Sequence, residues 1–169
     1  NLVTNMNWSN FWLNEGFTVF MERKVDSFIY GEAASLVSAK LNNQSMYFDM
    51  LDYGLDSNYS SLTPHLNGNN PDDSVSEVPY EKGFQFLTYI ESVVGEDKFQ
   101  KFLRSYVNEY AYTSIDHDEF INYFTDFIEN NFKTKEAKEI LEEIDFETWI
   151  NAPGLPPVIV DLDTDEYQE

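Results

Sequence analysis

The chain has 169 residues, the size of one ordinary domain, and its 42% hydrophobic and 17% aromatic content is ample for a packed core. A formal net charge of -21 excludes a nucleic-acid partner, because a phosphate backbone is held by Lys and Arg. With no cysteine there is neither a disulfide framework nor a thiolate metal site, and no run of about 18 apolar residues is present to span a membrane.

In chain order the pattern is mostly helical. Residues 11 to 30 predict one helix that ends near Gly31, and residues 32 to 53 a second with a weaker pattern. From Gly54 to Pro79 the composition shifts to Asn, Ser, Asp, Gly and Pro, which predicts a long irregular loop of the kind that often carries function. Pro79 fits the first position of the next helix. In that helix Phe84, Leu87, Ile90 and Val94 recur at helical spacing, and Gly95 ends it. Phe99, Leu103, Tyr106 and Tyr110 form the next apolar stripe. Asp116 with Glu119 predicts a capping box ahead of Phe120, Phe124 and Phe127. Short helices are expected over 135–144 and 146–150, and "NAPGLPP" (151–157) stops helical structure. The last nine residues hold five acids and no base, and read as a tail. No alternating strand pattern of any length is present. His65 and His117 sit in no ligand spacing and are expected to face solvent.

Within the first helix, "FWLNEGFTVFMERK" (11–24) sets a carboxylate, Glu15, among bulky apolar residues and follows it with Gly16. Helical spacing groups Trp12, Glu15, Gly16, Val19 and Glu22 on one face, so Glu15 is expected to point inward. An ionised carboxylate leaves water at high cost unless a cation or donors compensate. Either a buried Arg or a neighbouring helix end takes it, or a metal ion does. Gly16 costs roughly 1 kcal/mol against Ala in a helix, so something is expected to approach the backbone closely there.

Two segments carry a family resemblance. "NLVTN" with "NFWLNEGFTVFMER" resembles the segment just after the H-E-x-x-H motif of the zinc aminopeptidases of peptidase family M1, and "SEVPYEKGFQFL" (76–87) resembles that family's catalytic-tyrosine motif. "NPDDSVSEVPYEKGF" and "WINAPGLPP" are similar to the leukotriene A4 hydrolase and aminopeptidase branch. The resemblance spans "NLVTN" to "PGLPP", and it implies an all-α chain, the helical half of a thermolysin-like (gluzincin) catalytic domain with a long irregular loop. Residues 1–152 would be that partial domain, and 153–169 a linker or acidic tail toward a C-terminal helical domain.

The resemblance also implies one Zn2+ ion, with Glu15 as its third protein ligand and the two His ligands upstream of residue 1. Tyr80 would be the catalytic tyrosine, a neutral donor able to steady an oxyanion. Asp72, after Pro71, matches a substrate-selecting Asp, against an ordinary turn residue as the alternative. Glu22 would orient a zinc-binding His, with a surface or helix-pairing role equally open. Where the branch has a Tyr beside its lipid substrate, this chain has Val75, which leaves peptide cleavage untouched and weakens the case for epoxide hydrolysis. The expected substrate is a peptide with a free N-terminus, with a lipid epoxide as a second class. The expected location is cytoplasmic, with the nucleus second. The alternative is a non-catalytic helical module that binds a protein partner.

Overall fold

The computed structural model describes residues 2–162; the acidic end from residue 163 onward lies outside the described residues. The chain folds into seven α-helices among the described residues: α1 (Trp12–Tyr30), α2 (Glu32–Tyr53), α3 (Val78–Val94), α4 (Glu96–Tyr110), α5 (His117–Asn131), α6 (Thr134–Glu143) and α7 (Phe146–Asn151). One addition to the all-α expectation is a two-residue parallel pairing of β1 (Thr4–Asn5) with β2 (Ser114–Ile115). It is too short for an alternating pattern to reveal, and it ties the start of the chain to the α4–α5 connection.

Local chemistry explains the boundaries. Gly31, Gly54 and Gly95 follow α1, α2 and α3 at φ of 92°, 90° and 89°, which a residue with a Cβ rarely adopts. The Asp116–Glu119 capping box forms as expected, with each side chain accepting from the other residue's backbone N–H. Helix α3 begins at Val78, so Pro79 takes the second helical position. Helix α3 is the central element: residues 81 to 87 are buried without interruption, so it is covered on every side. Around it the core is aromatic. Phe86 stacks on Trp149 at 5.0 Å, Phe102 meets Phe124 at 5.1 Å, and Trp12 meets the edge of Phe120 at 5.5 Å.

Two apolar stripes are rotated from their expected register. In α4 the fully buried rings are Phe99, Phe102 and Tyr106, with Leu103 and Tyr110 at the margin. In α5 Ile128 is buried and Phe127 lies at the edge. His117 faces solvent only in part. Its ring Nδ1 donates to Asn10 Oδ1 at 2.8 Å while its backbone N–H donates to the same oxygen at 2.9 Å. His65 is exposed, as expected.

The grouping of Trp12, Glu15, Gly16, Val19 and Glu22 splits into two stripes. Trp12, Gly16, Val19 and Arg23 face α3, whereas Glu15 is half-buried and Glu22 exposed on the flank. At about 100° per residue, Trp12, Gly16, Val19 and Arg23 form one narrow stripe, while Glu15 and Glu22, each one position before a member of it, fall together along its edge. The outer side of α1 and α2 is apolar in places, with Met21, Val25, Phe28, Ile29, Leu41 and Phe48 exposed.

Gly16 meets the close approach expected of it. A Cβ built there would lie 2.9 Å from Gly83 Cα and 3.0 Å from Gly83 C, and one built on Gly83 would lie 2.9 Å from Gly16 Cα. Helices α1 and α3 therefore cross backbone on backbone. Gly16→Ala improves intrinsic helix propensity by about 1 kcal/mol, but the obstacle is main chain and cannot swing aside. Overpacking of this kind costs typically about 1–3 kcal/mol. The expected result is a lower urea midpoint at unchanged slope; an unchanged or raised midpoint would show that the helices separate freely.

Candidate active site

Two helices meet at the glycine crossing, and each carries one sequence-predicted residue next to it. On α1 Glu15 precedes Gly16; on α3 Tyr80 lies one turn before Gly83. Residues 65 positions apart in sequence are thus brought close enough that the Glu15 charge acts on the Tyr80 phenol. The phenol is raised above its ordinary pKa, first by burial and then by the Glu15 and Glu77 carboxylates. It therefore keeps its proton throughout the neutral range and can serve as a donor. The edge of the Tyr80 ring packs against Phe11 at 6.0 Å, and Phe11 in turn meets Trp8 at 5.3 Å. These rings give Tyr80 an apolar back wall.

Burial likewise pushes the Glu15 carboxyl above the usual carboxylate range. Among the described residues no Lys or Arg pairs with it. The guanidinium that might have taken it, Arg23, is bound elsewhere: Arg23 and Glu81 form a two-pronged pair, with one contact at 2.9 Å, and both side chains are almost wholly buried. The Arg23 guanidinium also lies over the Phe84 ring at 4.1 Å. The open question about Glu15 narrows accordingly. It is a partly desolvated carboxylate whose pKa the chain's amino terminus partly lowers and which pairs with no Lys or Arg among the described residues, and this fits one oxygen ligand of a zinc ion. Among the described residues there is no cluster of three or more His, Asp or Glu side chains arranged to hold a metal, so Glu15 is one ligand at most of any such set.

The long loop borders this region. Asn58 closes it with paired contacts to the His65 backbone, both at 2.9 Å. Asn70 caps a short 3-10 turn, Pro71–Ser74, by accepting from the Asp72 N–H at 3.2 Å. Asp72 is exposed on that turn with its carboxylate toward solvent. Val75 is exposed as well, and its carbonyl accepts from the Tyr53 hydroxyl at 2.9 Å. The loop rejoins α3 where the Glu77 N–H donates to Asp49 at 2.7 Å. A small crevice lined by Trp8, Phe11, Tyr59, Val75 and Pro79 runs between this loop and the start of α1, beside the helix turn of Tyr80. Glu22 stands away from all of this, exposed farther along α1.

Two features escaped sequence reasoning. The Arg23–Glu81 pair belongs to the α1–α3 packing, and the wholly buried Lys82 joins α3 to the Ser60 loop and the segment after α7. The signal was the break in apolar pattern at "YEKG" between Val78 and Phe84, where two opposite charges sit on a helix otherwise headed for the core.

The sequence matches the model of the peptidase family M1 domain over residues 1–149. Leucine aminopeptidase 2 of Aspergillus terreus is 41% identical over 157 residues, covering 93% of this chain and 25% of that protein. Leucine aminopeptidase 2 of Aspergillus clavatus is 42% identical over 158 residues, again 25% of its length. The chain thus spans about a quarter of the length of the curated relatives it matches. Among solved structures, yeast LTA4 hydrolase in complex with bestatin superposes with a TM-score of 0.85 at 37% identity, covering 95% of this chain and 25% of that one. An M1 zinc metallopeptidase from Deinococcus radiodurans shares the fold, with a TM-score of 0.61 at 18% identity. The family match takes in both the Glu15 helix and the Tyr80 helix, and the chain belongs to peptidase family M1.

Proposed function

We propose that this chain is part of the catalytic domain of a zinc-dependent aminopeptidase that removes N-terminal residues from peptides. Residues 1–152 are the catalytic portion, and the irregular stretch that follows leads onward. The observation that carries the reading is the match to the family M1 domain over residues 1–149, supported by the half-buried Glu15, which pairs with no Lys or Arg among the described residues, and by Tyr80 across the glycine crossing. Glu15 supplies one oxygen ligand to a single Zn2+, whose two His ligands and general-base Glu come from an H-E-x-x-H segment upstream of residue 1. When bound, zinc acts as a Lewis acid toward the scissile carbonyl and lowers the pKa of water.

This chain's own contribution is then electrostatic. Tyr80 O–H donates to the carbonyl oxygen as that oxygen gains negative charge, and the phenol's raised pKa keeps the proton in place to do so. Phe11 and Trp8 exclude water from the back of the ring. Asp72, exposed on the bordering loop, attracts the free ammonium or a basic side chain of the peptide. Glu22 orients an upstream His. A lipid epoxide is a second substrate class, which Val75 disfavours because it offers no side-chain hydroxyl at that position. A cytoplasmic location fits the lack of cysteine.

The test is metal content. In the full-length protein, Glu15→Ala is expected to abolish stoichiometric zinc measured by elemental analysis, with helix content unchanged, because three protein ligands are the usual minimum for a catalytic zinc site. Full zinc retention in that variant would remove Glu15 from the ligand set. A wild-type protein that binds no zinc at all would favour the helical interaction module instead.

A further inference from the structure

Successive residues on a helix leave it about 100° apart, so the four residues from Tyr80 to Gly83 point in four directions. Glu81 reaches Arg23 on α1. Gly83 lies against the backbone of Gly16. Lys82 points away from both and is 0% exposed. Its Nζ donates to three carbonyls, Ser60 O at 3.0 Å, Ala152 O at 2.9 Å and Gly154 O at 2.9 Å.

This is an unusual place for a lysine. Among the described residues no carboxylate pairs with it, and burial pulls its pKa down to about 8. An apolar side chain of the same volume would avoid the cost of desolvating the charge. What an ammonium supplies and a methyl group cannot is three directed bonds, and three acceptors are present. Ser60 ends a 3-10 turn (Asn58–Ser60) and Ala152 and Gly154 follow α7, so none of the three carbonyls lies inside an α-helix ladder. The two acceptor segments are also joined to each other: the Gly154 N–H donates to Ser60 Oγ at 2.7 Å, and the Leu62 N–H donates to Ile150 O at 3.1 Å. Lys82 therefore fastens a preassembled pair of loops to the one helical turn that presents Tyr80. With Glu81 and Gly83 holding the same turn to α1, the phenol is the side chain of this turn left toward the site.

We infer that Lys82 is a positioning residue for Tyr80, its ammonium clamping the turn that carries the phenol between the Ser60 loop and the Ala152–Gly154 segment. The inference rests on the role proposed for Tyr80, and a double-mutant cycle separates the two. In the full-length protein, with an aminoacyl p-nitroanilide as substrate, Lys82→Met is expected to lower kcat about tenfold to a hundredfold, the scale of a small misplacement of a catalytic group. KM and zinc content stay unchanged. Added to Tyr80→Phe, the same substitution is expected to lower kcat no further, because the group it positions is gone. An equal loss in both backgrounds, or no loss in either, would overturn the role of Lys82 while leaving Tyr80 in place. A Tyr80→Phe variant with full turnover would remove both. Should Lys82→Met fail to fold, Ser60→Ala enters the same cycle, since it removes the clasp to Gly154 and leaves the lysine. A kcat loss confined to the background with Tyr80 supports the inference, and any other pattern overturns it.

Discussion

Tyr80→Phe in the full-length protein is expected to lower kcat roughly a hundredfold to a thousandfold, the range seen when one oxyanion donor is removed. The substitution deletes a single oxygen and keeps the ring that packs against Phe11. Folding and zinc content should therefore be unchanged. KM should also hold, because the donor acts on charge that develops only in the transition state. The pH profile offers a second check. The raised pKa of the phenol predicts no loss of activity from Tyr80 ionisation up to the ordinary tyrosine range near 10. A variant with unimpaired turnover would leave Tyr80 as a packing partner of Phe11 and nothing more.

Glu81→Ala is expected to be the most damaging single substitution for stability. It leaves the Arg23 guanidinium, itself 4% exposed, without its anion in the interior. Removing one partner of such a pair costs about 3–5 kcal/mol, against the usual cost of roughly 1 kcal/mol for a point substitution. The double variant Arg23→Met with Glu81→Leu is expected to be more stable than Glu81→Ala, since it removes the uncompensated charge and fills the space. Thermal melts of Glu81→Ala, of Arg23→Met and Glu81→Leu singly, and of the Arg23→Met/Glu81→Leu double settle this. Additive losses would mean that the two side chains do not depend on one another despite their two-pronged contact. Because Glu81 adjoins Tyr80, the single variant should also lose activity, whereas a well-packed double should recover part of it.

Much of this molecule was readable without coordinates. The ends of α1, α2 and α3 are set by glycines that accept a positive φ, and the start of α5 by the Asp116–Glu119 box. These are interactions within four residues, so the chain carries them locally. The aromatic richness foretold a ring-packed core, and the segments around Glu15 and Tyr80 marked the two places where chemistry was expected. The requirement for glycine at position 16 was also legible, although its partner was not.

The tertiary structure decided what depends on neighbours far along the chain. Sequence periodicity placed Glu15 on the buried face, but packing against α3 turned that face toward Trp12, Gly16, Val19 and Arg23 and left Glu15 at its edge. Which carboxylate meets Arg23 was decided across 58 residues, in favour of Glu81, and that choice is what leaves Glu15 without a guanidinium. The burial of Lys82 and the hydrogen bonds of His117 arise in the same way, from acceptors 22 to 107 positions distant. Helix limits follow from backbone sterics and hydrogen bonds that close within a turn, so the residues at hand suffice to specify them. The pairing of buried charges follows from desolvation and proximity, and proximity exists only once α1 and α3 have crossed at two glycines.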